Sequence, residues 1–259
     1  MAREPIDLKS PIFIPTNLLK SGLTQPQTSP TGSELPMTFF PAEAFIFDLD
    51  GTLLDTEPLY TLATQQVFDR YDKQFTLEFK RTIVGREAKA SAAMTVEHFD
   101  LPLTPDAFLA ARGEILQTLF ADASPILGAQ SFLSALHHAD QRLGIATSSS
   151  RALFELKRSK KPWLQSINHT LCGDEVLASK PEPEIFLKAA ALLDTDPCDC
   201  IVFEDAESGI EAAKRAGMKV ICVDSPYIGE KERRAADAVI RDFTEVRVIL
   251  APEPGIEVH

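Results

Sequence analysis

The chain has 259 residues, with 26 lysines and arginines against 38 aspartates and glutamates, for a formal charge of −12. With 44% hydrophobic and 25% charged residues it has the composition of a soluble globular protein, long enough to bury one or two sizeable cores. The acidic balance argues against non-specific nucleic-acid or anionic-membrane binding, which needs a basic face, and no apolar run approaches the ~20 residues of a membrane span.

Residues 1–38 are punctuated by Pro5, Pro11, Pro15, Pro26, Pro30 and Pro36, with Gln, Ser and Thr between them. No helical or alternating period survives so many breaks, so a disordered tail is expected here, with Met37 as an alternative start. Glu4 and Asp7 replace the basic start of a secretory signal, and Arg3 as the lone arginine makes a poor transit peptide. Cys172, Cys198, Cys200 and Cys222 contain no C-x-x-C, which points to structural thiols in a reducing, cytoplasmic compartment.

From Ala44 onward short apolar β-type runs recur: Ala44–Phe47, Leu143–Ala146, Ile201–Phe203, Val220–Val223 and, more weakly, Ala238–Ile240. Continuous apolar runs of this length suit strands buried on both faces. Between them lie helical patterns: Gln130–Ala139, Glu184–Leu193 after Pro183, and Ser208–Ala216, which Gly217 stops. Strand–helix alternation of this kind predicts βαβ units and a parallel sheet. The alternation breaks from Thr56 to Ser124, where only helical spacing appears: Tyr60, Ala63, Val67 and Tyr71, then Phe108, Ala111, Ile115 and Leu119 behind a Thr104-Pro105 start. The expected fold is therefore α/β, a Rossmann-like parallel sheet core with an inserted all-helical cap. The expected divisions are a tail over 1–38, a core over 39–55 and 125–259, and a cap over 56–124.

The sharpest chemical feature is Asp48-Leu49-Asp50-Gly51-Thr52 at the end of the first buried run. Period two sends both carboxylates the same way, into the crevice that open α/β sheets form beyond their carboxyl ends. A calcium loop fails on spacing, because Leu53 and Leu59 stand where glycine and glutamate are required. Three further strand ends carry polar groups. Thr147-Ser148-Ser149-Ser150 offers hydroxyls and backbone N–H groups for an anion, Lys180 precedes a helix, and Glu204-Asp205 places two carboxylates together. Taken singly, each has a plain explanation as a turn, cap, surface lysine or helix-start charge. Their shared placement at strand ends does not.

With these motifs the stretch from Phe45 to about Val223 resembles the haloacid-dehalogenase superfamily of phosphohydrolases. The runs Lys180-Pro181-Glu182-Pro183-Glu184-Ile185-Phe186 and Phe203–Ala213 match it in detail, and the helical insert matches its cap. The resemblance implies Asp48 as nucleophile through an aspartyl-phosphate, and Asp50 as general acid and base. It implies Thr147 and Ser148 on the phosphoryl oxygens and Lys180 as charge neutraliser. It also implies Mg²⁺ held by Asp48, the Asp50 carbonyl and Asp205, with Glu204 orienting a bound water. Gly85, Arg86 and Lys89, in the Val84–Lys89 stretch, are the candidate substrate contacts. The stretch from Gly85 to Pro102, and Ala146-Thr147-Ser148-Ser149 with Phe154 and Lys157, resemble the pseudouridine 5′-phosphatase branch, although Ala90-Ser91-Ala92 departs from that branch's Glu-Ala-Ala. The expected partner is a small phosphorylated metabolite, a ribosyl or sugar phosphate, acted on by a monomer that binds neither nucleic acid nor membrane. A phosphosugar mutase and a non-catalytic interaction protein on the same fold are the alternatives.

Overall fold

The computed structural model describes residues 37–83, 88–250 and 253–259. The tail expectation therefore lies almost wholly outside the described residues, as do Gly85 and Arg86. Its expected end at residue 38 runs into a strand: β1 (Thr38–Pro41) pairs antiparallel with β11 (Gly255–Val258), which in turn pairs with β10 (Val246–Ile249). This small antiparallel sheet was not expected. Its edges lie more than two hundred residues apart, so no local pattern announces the pairing.

The main sheet has six parallel strands in the order β6, β5, β2, β7, β8, β9. They are β2 (Ala44–Phe47), β5 (Arg142–Ala146), β6 (His169–Leu171), β7 (Cys200–Glu204), β8 (Lys219–Val223) and β9 (Ala238–Ile240). Five were expected. The sixth, β6, is short and polar at its start, which hides it from a hydrophobicity argument. Strand β2 is wholly buried at the centre. Its Phe45 and Phe47 enter one hydrophobic cluster, and its Ala44 and Ile46 enter another on the opposite face. That division follows from the two-residue period of a strand. Phe47 stacks on Phe203 with ring centroids 4.9 Å apart, and Phe132 and Phe243 close round the pair. Helices α5 (Ala129–His138), α6 (Arg151–Arg158) and the single turn α7 (Pro162–Gln165) contribute to the first face. Helices α8 (Glu184–Leu192) and α9 (Glu207–Arg215) cover the second, and α10 (Glu230–Ala235) follows β8.

Within residues 56–124 the chain makes four α-helices, α1 (Glu57–Asp69), α2 (Leu77–Ile83), α3 (Ala88–His98) and α4 (Pro105–Leu119). They build a third cluster around Phe68, Phe108 and Phe120. Helix α4 starts as its sequence predicts: Thr104 accepts a hydrogen bond from the Ala107 amide, and Pro105 fills the first position. The block is not helical to its last residue. β3 (Leu54–Asp55) and β4 (Ser124–Pro125) pair antiparallel, so the chain enters and leaves the helices side by side.

Candidate active site

The crossover order places a switch at β2: β5 and β6 lie on one side, β7 to β9 on the other. A crevice opens beyond the carboxyl ends of strands at such a point. Here it is a cleft of about 480 Å³ lined by Asp48, Asp50, Thr147, Ser148, Lys180 and Asp205 among others. Four motifs distant in sequence thus meet. A larger cavity of about 1150 Å³ continues from Asp50, Gly51 and Asp205 toward α2 and residues 224–232.

Asp48 extends β2 by one ladder bond, its amide donating to the Phe203 carbonyl at 3.0 Å, while Leu49 turns back into the core. The chain then folds tightly. The Leu53 and Leu54 amides both donate to the Leu49 carbonyl, and the Gly51 amide donates to that of Leu54. Gly51 adopts φ +85°, and a Cβ there would overlap the Asp205 carboxylate, so glycine is required twice over.

Lys180 is the hub of the site. Its side chain is 4% exposed, and its ammonium donates to Asp48 Oδ1 at 2.6 Å, Glu204 Oε1 at 2.7 Å and the Ala146 carbonyl at 3.0 Å. Burial works against its charge, but the two carboxylates prevail and raise its pKa. Glu204 turns its other oxygen to the amides of Asp205 and Ala206, at 2.8 and 2.9 Å. Both its oxygens are thereby engaged in holding Lys180 and the following loop. Asp205 accepts from the buried Thr52 hydroxyl at 2.9 Å. The Thr147 hydroxyl accepts from the Ser149 amide at 3.1 Å, and Ser148 is exposed beside it.

Burial pushes the Asp48 carboxyl up to about 7, with Lys180 opposing and Glu204 and Asp50 reinforcing. Burial likewise raises Asp205, helped by Glu204 and Asp48 and opposed by the Thr52 hydrogen bond and Lys180. These carboxylates outnumber the positive charge beside them. Among the described residues no three His, Cys, Asp or Glu side chains form a metal cage. The two crowded carboxylates of Asp48 and Asp205 nonetheless suit a hard divalent cation that keeps most of its waters, as Mg²⁺ does.

Asp50 faces the same cleft but has a separate partner. Lys157, wholly buried, donates to both its oxygens at 2.7 Å, and the Ser149 hydroxyl donates to Oδ2 at 2.8 Å. Sequence inspection singled out Lys157 only as part of a resemblance. The available signal was its place three residues after Phe154, on the core-facing side of α6. Tyr60 of α1 lines the cleft from the helical block, its hydroxyl kept protonated by burial and by Asp50. Lys89 does not line either cavity: its side chain is 68% exposed and pairs with Asp106 at 3.5 Å. It lies at the start of α3, where a long basic side chain remains solvated.

Comparison with known proteins agrees with this geometry. The chain is 35% identical over 208 residues to the Drosophila melanogaster protein named "Probable pseudouridine-5'-phosphatase", covering 78% of this chain and 90% of that one. It is 35% identical over 210 residues to (DL)-glycerol-3-phosphatase 2 of Arabidopsis thaliana, covering 78% and 88%. Among solved structures, CbbY of Rhodobacter sphaeroides in complex with phosphate superposes with a TM-score of 0.66 at 28% identity, covering 79% of this chain and 96% of that one. The model of the haloacid dehalogenase-like hydrolases matches residues 45–223, from the first core strand to the end of β8. Three of the four motifs end strands as expected and the fourth, Lys180, stands instead in the loop before α8; with all four inside that span, the chain belongs to the haloacid dehalogenase-like hydrolase family.

Proposed function

We propose that this protein hydrolyses a small phosphomonoester in the presence of Mg²⁺, through a phosphorylated Asp48. The observation that carries this reading is the Asp48 carboxylate itself. Lys180 holds Oδ1, and Oδ2 has no hydrogen-bond partner among the described residues, in a cleft shared with Thr147, Ser148 and Asp50. Attack of Asp48 on phosphorus breaks the ester P–O bond, and Asp50 gives its proton to the departing oxygen. Asp50 then takes a proton from the water that attacks the aspartyl-phosphate, releasing phosphate and restoring Asp48. Thr147 and the Ser148 amide suit the phosphoryl oxygens, and Lys180 holds the nucleophile and offsets charge. Asp48, Asp205 and the Asp50 carbonyl would hold Mg²⁺, which supplies charge neutralisation at the phosphoryl group when bound.

The helical block, which reaches the cleft through Thr56, Glu57 and Tyr60, acts as a cap that chooses the substrate. The relatives' names favour a ribosyl, glycerol or sugar monophosphate, with pseudouridine 5′-phosphate and glycerol 3-phosphate the first to try. A phosphate-release screen over phosphorylated metabolites with Mg²⁺, run beside Asp48→Asn, tests the proposal. Phosphate release by the wild type and none by the variant supports it. Full activity in the variant would sink it, and isomerisation without phosphate release would identify a mutase instead.

A further inference from the structure

Among the described residues Lys157 is the one lysine whose side chain is 0% exposed, and no step of the proposed hydrolysis uses it. It follows Phe154 on the buried side of α6, a position where an aliphatic residue would serve the core. An ammonium there is tolerated only if its donors are met. They are met by the site: Asp50 Oδ1 and Oδ2 at 2.7 Å each and Ser149 Oγ at 2.8 Å, with the Phe120 ring centroid 4.4 Å away. The Lys157 carbonyl accepts from Lys161, whose ammonium also reaches the Ala121 carbonyl at 2.9 Å. The next turn of chain is tied down as well, by Lys160 to Asp122 at 2.7 Å. The cation is therefore fixed from behind by the segment through which the chain leaves the helical block.

Asp50 has no comparable anchor of its own. It stands in a tight loop two residues after Asp48. Two contacts from one immobile cation, plus one from Ser149, set both the direction and the plane of its carboxylate.

We propose that Lys157 is a positioning residue for Asp50. It holds Asp50 where the acid form gives its proton to the departing oxygen as the P–O bond breaks, and where the resulting carboxylate takes a proton from the attacking water. This rests on the phosphomonoesterase reading above. A positioning role makes a specific demand, because only a poor leaving group needs that proton. 4-Nitrophenolate departs without it, whereas the alkoxide of glycerol 3-phosphate does not.

The experiment compares kcat/KM on these two compounds with Mg²⁺, for wild type, Lys157→Met, Lys157→Arg, Ser149→Ala and Asp50→Asn, with a thermal melt of each variant. Lys157→Met is expected to lose roughly 100-fold on glycerol 3-phosphate, with a loss about tenfold smaller on 4-nitrophenyl phosphate. Asp50→Asn should show the same split, Lys157→Arg should recover part of it, and Ser149→Ala should show a weaker split should Lys157→Met not fold. Equal losses on both compounds in Lys157→Met and Ser149→Ala, with the split present in Asp50→Asn, would overturn the role of Lys157 and leave the phosphatase reading standing. Absence of the split in Asp50→Asn would overturn the role of Asp50 and this inference together.

Discussion

Gly209 lies so close to Glu204 that a Cβ on the glycine would overlap the glutamate's carboxylate. Helix α9 therefore approaches the end of β7 only because residue 209 has no side chain. The same carboxylate holds Lys180 and the Asp205 amide, which ties helix packing to the site.

Gly209→Ala is accordingly expected to displace Glu204 and loosen Lys180. Overpacking of this kind costs about 1–3 kcal/mol of stability. We expect a lower melting temperature and a fall in kcat of at least roughly tenfold, since a misplaced catalytic group costs more than the local contact. Unchanged turnover in a folded variant would show that Lys180 does not depend on Glu204.

The crowding of Asp48 and Asp205 predicts that Mg²⁺ stabilises the fold. A ligand that binds only the native state adds about 2.7 kcal/mol when present at 100 times its dissociation constant. Melting in EDTA and in excess Mg²⁺ measures this directly. Asp205→Asn should remove most of the difference. A melting temperature indifferent to Mg²⁺ in the wild type would count against a cation at these carboxylates.

Glu184 gives a pH prediction away from the cleft. Its carboxylate, hydrogen-bonded by Lys188 and by the amides of Leu177 and Ala178, falls from an ordinary value of 4.5 to about 2. A carboxyl with a lowered folded-state pKa stabilises the protein above its unfolded value, and that contribution fades as pH falls through the folded one. The stability difference between wild type and Glu184→Gln should thus be full at pH 7 and shrink between about pH 4.5 and pH 2. Chemical denaturation across that range checks it. A difference constant with pH would show that the hydrogen bonds do not depend on the charge.

Truncation separates the tail from the first strand. Removing residues 1–36 should leave turnover and melting unchanged, because β1 and its pairing with β11 remain. Removing residues 1–42 deletes β1 and uncovers Ile256 and Val258, which are 0% and 4% exposed, and should lower the melting temperature. Loss of activity in the shorter deletion would give the tail a role in the site.

Much of this protein was legible in one dimension because the relevant signals are local. A run such as Ala44–Phe47 specifies a strand buried on both faces, and Asp48 and Asp50 two residues apart specify a pair of carboxylates at its end. Thr104-Pro105 specifies where α4 starts. The tertiary structure alone decided which groups complete those signals. Strand β1 finds β11 across almost the whole chain, and Lys157 reaches Asp50 from 107 residues away, as Thr52 reaches Asp205 from 153. No spacing rule encodes such contacts, since they depend on how strands order themselves in the sheet and how near a helix can approach. What a carboxylate does is settled by the cations and donors brought to it and by the water excluded around it, and both are properties of the packed chain.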